Sequence, residues 1–273
     1  LFSYVLLILS EIQAGRGVPA PTWYAKATVL HSDFVHFTSL CSRSTPLEIV
    51  QLLNDLYTQF DTAIAEHNVY KVETIGDALI IVSGLPRPIG NRHVREIAEL
   101  ALSMKAIVVN FKIPHLPEKR LKIRIGFHSG PLAAGVIGVG SPRYSIFGDT
   151  VNISSHLEQS SHPMGIQLSS SSWELLLEWP EYQMVERDDW NPLAEEEEGG
   201  LRTFWLLGKT EQEEGEEEDL PGPSTSQAEE ERGGVVEGGQ QLVKEVYEMA
   251  KPKVDQLVNW LSSAIPSLPA FPQ

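Results

Sequence analysis

Residues 45–67, TPLEIVQLLNDLYTQFDTAIAEH, carry apolar side chains at helical spacing: Val50, Leu53, Tyr57, Phe60 and Ile64. That period predicts an amphipathic helix with this face buried. Thr45, Pro46 and Glu48 stand where an N-cap, a first-turn proline and a capping-box acid belong. A second helix is predicted over 92–111 through Val94, Ile97, Leu100, Ala101, Met104 and Val108. Between these helices, VYKVETIGDALIIVSG (69–84) reads as two strands joined by a tight turn at Gly76–Asp77. KATVLH (26–31) predicts an earlier short strand running into SDFVHFT, and LKIRIGFHSG (121–130) an alternating strand ended by a Gly-rich turn. A helix from about Thr150, strand GIQLS, helix SSWELLLEW and strand LRTFWLLG complete the series. The order β-α-β-β-α-β-α-β-α-β implies an α+β sandwich, with helices packed on a mostly antiparallel sheet.

Length and composition refine this picture at its ends. The chain has 273 residues, of which 42% are hydrophobic, and a formal charge of −16. Residues 195–198 and 211–232 carry four and nine net negative charges, so the remainder is close to neutral. Nothing supports a nucleic-acid-binding surface. Residues 211–234 are acidic and rich in Gly, Pro and Ser, which predicts disorder within a linker over 209–240. Residues 241–263 can form an amphipathic helix interrupted at Pro252; a partner or membrane-surface helix and a loosely ordered tail are both compatible with it. Segment 1–25 stays unassigned. Its opening, LFSYVLLILS, is shorter than the roughly 20 residues a membrane span needs. It reads as a buried segment, a piece of a longer chain, or a signal-peptide core lacking its basic flank. Cys41 is the single cysteine, so no internal disulfide can form.

Candidate chemistry begins with carboxylates. Asp33 ends the first strand and Asp77 sits in the hairpin turn. If the strands are neighbours, two aspartates without basic neighbours suit a hard divalent cation completed by phosphate oxygens. Taken alone, aspartates at strand ends are more often turn formers. A further pair, Asn152 and His156, lies four residues apart at the opening of a helix and shares one face.

The segments YKVETIGDALIIVSGLP (70–86), RIGFHSGPLAAGVIG (124–138) and PRYSIFGDTVN (142–152) closely resemble the catalytic domain of class III nucleotidyl cyclases, most of all receptor-type guanylate cyclases. The resemblance covers about residues 26–208. It implies the class III sandwich with a ferredoxin-like core, a dimer with active sites between two domains, and conversion of GTP to cyclic GMP and pyrophosphate with two Mg²⁺ or Mn²⁺ ions. It implies Asp33 and Asp77 as metal ligands and Glu73 as the guanine-selecting acid. Arg143 and Ser145 would flank the base, and Phe37 and Thr38 would lie by the triphosphate. It also implies Asn152 as the ribose-orienting residue. Relatives of this kind sit on the cytoplasmic side of a membrane receptor, attached to it through regions upstream of this domain.

Several positions depart from the pattern that the resemblance implies. Where similar cyclases carry Arg, this chain has His156, which is shorter and lacks a bidentate fork. His36 replaces a glycine at which backbone approaches the triphosphate, and Ser145 replaces a cysteine. In place of a lysine-bearing loop stands AEEEEGG, with Glu196 and Glu198 at about the lysine positions and no lysine between Lys122 and Lys209. The metal half of the site is thus complete and the transition-state half altered. Three readings follow: a receptor-type guanylate cyclase catalytic domain of low activity, a degenerate domain that dimerises with and regulates or completes an active cyclase, and a decayed or mis-assembled reading frame.

Overall fold

The computed structural model describes residues 20–138, 143–188 and 202–210. The apolar opening, Glu196 and Glu198, and the acidic and amphipathic segments beyond 210 lie outside the described residues. Eight strands form one sheet: β1 (Thr22–Phe34), β2 (Val69–Ile75), β3 (Ala78–Ser83), β4 (Ile123–Ile137), β5 (Arg143–Phe147), β6 (Ile166–Ser169), β7 (Tyr182–Glu186) and β8 (Thr203–Lys209). Their order is β2-β3-β1-β4-β6-β8-β7, with β5 added to β4. Among the described residues only β4 with β6 pairs in parallel. Five helices accompany them: α1 (Phe37–Cys41), α2 (Pro46–Ala65), α3 (Arg92–Asn110), α4 (Asp149–Gln159) and α5 (Ser170–Leu176). The predicted α+β sandwich is therefore the fold, with β5, β7 and the single-turn α1 added to what the periodicity shows.

Helix α2 starts as its sequence dictates. Thr45 N–H donates to the Glu48 carboxylate at 2.7 Å, and Glu48 N–H donates back to Thr45 Oγ1 at 3.3 Å. The buried stripe is centred on Leu52, Leu56, Phe60 and Ala63, with Leu53, Tyr57 and Ile64 on its flank. Val50, expected on the buried face, is exposed because it lies roughly a third of a turn from that centre. Helix α3 buries all six predicted positions. Together α2 and α3 cover the sheet face that carries Leu30, Phe34, Ile123, Ile125 and Phe127.

The other face of β4 receives α4, and glycine explains how closely. A Cβ on Gly126 would lie 2.1 Å from the Glu158 backbone nitrogen, and one on Gly130 would lie 2.6 Å from Thr150 Oγ1. The expected turn after Gly130 is absent: β4 runs unbroken to Ile137. Its glycines make room for a helix rather than for a reversal of the chain.

Candidate active site

Asp33 and Asp77 are brought together by pairing. Leu79 of β3 stands opposite Ser32 of β1, so the Gly76–Asp77 turn sits beside the end of β1. The Asp33 carboxylate lies close enough to raise Asp77, while the nearby backbone N–H groups of Asp77 and Phe34 favour its ionised form. Burial, followed by the neighbouring Asp33, pushes the Asp77 carboxyl up to about 6. Two carboxylates held in contact repel when both are ionised, and a dication between them would remove that repulsion. The donor set fits a hard cation that takes two protein carboxylates and fills its remaining positions with phosphate and water oxygens. Among the described residues no group of three or more His, Cys, Asp or Glu side chains gathers to hold an ion unaided.

Sequence reasoning left these aspartates without a basic neighbour, and the structure corrects that. Arg124 of β4 is the direct cross-strand partner of Asp33, and its Nη2 donates to Asp33 Oδ2 at 3.0 Å. The same Nη2 lies 3.0 Å from Glu158 Oε1 on α4, a contact of charges outside aligned hydrogen-bond geometry. Burial drives the Glu158 carboxyl up to about 7, against the pull of Arg124. Arg124 and Glu158, which the sequence reading did not single out, are candidates that lie against the aspartates. The alternation of LKIRIG put Arg124 on the Asp33 side of the strand, but register was needed to place the two opposite each other.

On the same hairpin as Asp77, Glu73 projects from β2 and pairs with Arg143 of β5 at 3.3 Å. Both are well exposed, so this pair adds little to stability. Its value is positional. Strand β5 approaches β2, where the Tyr70 and Tyr144 rings meet edge to face at 5.6 Å. Ser145 lies half-buried next along β5, opposite Gly135. The structure thus joins Glu73 and Arg143 in one ion pair, with Ser145 two residues along β5 from Arg143.

His36 has φ 59° and ψ 29°, a left-handed backbone at the N-cap of α1. Its side chain is exposed. Glycine adopts this conformation freely and histidine under strain, which accounts for the glycine expected there. Phe37 packs on Phe34 with ring centroids 6.1 Å apart, while Thr38 is exposed. As the first residues of a helix, both have backbone N–H groups without intrahelical acceptors.

Asn152 and His156 share one exposed face of α4. That face lies across the helix from Thr150, Ser154, Leu157 and Glu158, which are buried against the domain. The structure places this pair on an outward surface, away from the Asp33–Asp77 cluster of the same chain.

Residues 20–208 match the family model described as the adenylate and guanylate cyclase catalytic domain. The chain is 45% identical over 203 residues to receptor-type guanylate cyclase gcy-23 of Caenorhabditis elegans, covering 74% of this chain and 18% of that protein. It is 47% identical over 199 residues to guanylate cyclase 2G of Rattus norvegicus, covering 73% and 18%. The chain therefore spans about a fifth of the length of these relatives. The guanylate cyclase domain of RhGC from Catenaria anguillulae, solved in complex with GTP, superposes with a TM-score of 0.63 at 32% identity, over 69% of this chain and all of that one. The non-canonical dimeric guanylyl cyclase domain of RhoGC from Blastocladiella emersonii gives 0.62 at 31%, over 69% and 99%.

Proposed function

Because this chain belongs to the adenylate and guanylate cyclase catalytic domain family, we propose that it forms cyclic GMP and pyrophosphate from GTP, at reduced rate as a homodimer and more effectively beside an intact cyclase domain. The observation that carries this reading is the convergence of Asp33 at the end of β1 with Asp77 in the adjoining turn, while Asn152 and His156 face outward. A complete site then needs two domains, one giving the carboxylates and the other giving the outward face of α4.

In the reaction the ribose 3′-oxygen loses its proton and bonds to the α-phosphorus as the bond to pyrophosphate breaks. Two Mg²⁺ or Mn²⁺ ions bound at Asp33 and Asp77 would supply charge neutralisation for the triphosphate and activation of the attacking hydroxyl. Arg124, beside Asp33, contributes a fixed positive charge for the same anion. Phe37 and Thr38 offer backbone donors to phosphate oxygens. Glu73 accepts from guanine N1–H and the 2-amino group, with Arg143 holding its carboxylate in place and Ser145 donating towards O6. Asn152 orients the ribose of the site on the opposing domain. His156 stands where developing charge calls for a guanidinium, and Glu196 and Glu198 stand where a lysine is expected. The domain works on the cytoplasmic side, where GTP is supplied. Among the described residues no helix is long and apolar enough to cross a membrane.

Restoring the missing cations tests this reading. His156→Arg combined with Glu196→Lys or Glu198→Lys is expected to raise Mn²⁺-dependent cyclic GMP formation on the order of 10³-fold, the scale on which an arginine steadies phosphoryl transfer. No gain in any combination would place the defect elsewhere. Base choice has a separate test: Glu73→Lys is expected to lower binding of GTP relative to ATP, and an unchanged preference would remove Glu73 from the base site.

A further inference from the structure

Tyr57 lies on the flank of α2, its ring 6.3 Å from that of the buried Phe60, so the core fixes where its hydroxyl can reach. That hydroxyl leaves the core and donates to the Gly76 carbonyl at 3.0 Å. Gly76 is exposed and adopts φ +64°, with nothing within 4 Å of where its Cβ would stand, so no neighbour packs against that side of the turn. Among the described residues, the Tyr57 bond is the side-chain hydrogen bond that ties this turn to a helix. The next residue is Asp77. We propose that Tyr57 is a positioning residue for the ion site: by gripping the Gly76 carbonyl it fixes the turn that presents Asp77 to Asp33.

This inference rests on the reading of Asp33 and Asp77 as metal carboxylates. The chemistry of the hydroxyl argues for positioning rather than catalysis. It has one proton, and the carbonyl takes it. Burial and the nearby charges of Asp77 and Asp33 push the phenol up to about 12, so it remains a neutral donor wherever the domain is folded. A phenylalanine would keep the ring packing and lose only the grip. Asp77 would then be free to move relative to Asp33, and a hard cation that demands near-ideal geometry would register that freedom as lost affinity. One hydrogen bond of this kind corresponds to about a fivefold change in an equilibrium constant.

The test uses the full chain and Mn²⁺ alone as probe, with free Mn²⁺ counted by electron paramagnetic resonance. Amide exchange is followed at residues 75–78, and melting is recorded in parallel. Tyr57→Phe is expected to weaken Mn²⁺ binding about fivefold and to speed exchange at the turn selectively, with the melting temperature lowered by no more than about 4 °C. Asp77→Asn is expected to abolish the binding. Gly76→Ala disturbs the same turn without touching α2 and is expected to weaken Mn²⁺ as well. Equal Mn²⁺ affinity in the wild type and Tyr57→Phe would overturn the positioning role alone. So would a loss in Tyr57→Phe that merely follows a fall in melting temperature, or unchanged affinity in Gly76→Ala. Wild-type binding that survives Asp77→Asn would overturn the metal reading itself, and this inference with it.

Discussion

The carboxyl of Asp77 is held up to about 6 by burial and by Asp33, so it costs the folded chain free energy to ionise it. A raised carboxyl contributes stability that is present below its unfolded value near 4 and is lost as pH rises through about 6. Asp77→Asn is therefore expected to match the wild type near pH 4 and to melt about 2–4 °C higher at pH 7.5. Differential scanning calorimetry of the two chains across this range checks it. An Asn variant less stable at pH 7.5 would mean that the carboxylate pair is not under repulsion. His36 is strained by geometry instead of charge. His36→Gly is expected to stabilise the domain by roughly 0.5–1 kcal/mol, the left-handed penalty less the extra chain entropy of glycine; urea unfolding reads this directly. Both residues were legible as candidates, Asp77 from its turn and His36 from the word SDFVHFT. Their energetics were not, because one depends on a neighbour 44 positions away in the chain and the other on a backbone angle.

Periodicity revealed helices α2 and α3 and the β2–β3 hairpin because each has one apolar face and a clear boundary signal. It failed for β5 and β7, five-residue strands whose burial alternates weakly. It misjudged β4 for a physical reason. The glycines from 130 onward look like a chain reversal in sequence, yet in the strand Gly126 and Gly130 admit α4 and Gly135 admits Pro21. Arg124 was overlooked on the same account: its partner is set by the β1–β4 register, which no local pattern encodes. The close contact of α4 with β4 carries a prediction. Gly126→Ala places a methyl 2.1 Å from the Glu158 nitrogen and must displace α4, with an expected cost of about 3 kcal/mol. Gly76→Ala, with open space around it, is expected to cost only about 1 kcal/mol from its positive φ. Equal costs by urea unfolding would mean that α4 yields without resistance.

The domain as a whole carries two kinds of ionisable group shifted by burial, with opposite pH signatures. His31, His93 and His128 are each lowered to about 4 by burial and accept or donate within hydroxyl networks: His93 with Thr28 at 2.6 Å, His128 with Ser169 at 2.7 Å, His31 with Ser154 at 2.9 Å. A lowered histidine contributes stability that is present above about 6.5 and lost as pH falls towards 4, because the unfolded chain then binds more protons. Asp77 and Glu158 act in the reverse sense up to about 6 and 7. With three groups against two, stability is expected to rise with pH between about 4 and 6, and His93→Gln is expected to flatten that rise; a melting curve independent of pH would contradict it.

At the level of two domains, the proposed function has this chain give its carboxylates to a shared site and take the opposing helix face from a partner. The measurement that tests this most directly is cyclic GMP formation from Mn²⁺-GTP by the full chain, alone and mixed with an intact guanylate cyclase domain whose metal carboxylates have been changed to Asn. Little product from either protein alone and clear product from the mixture is the predicted result. Full activity of the chain alone, or silence in the mixture, would contradict it.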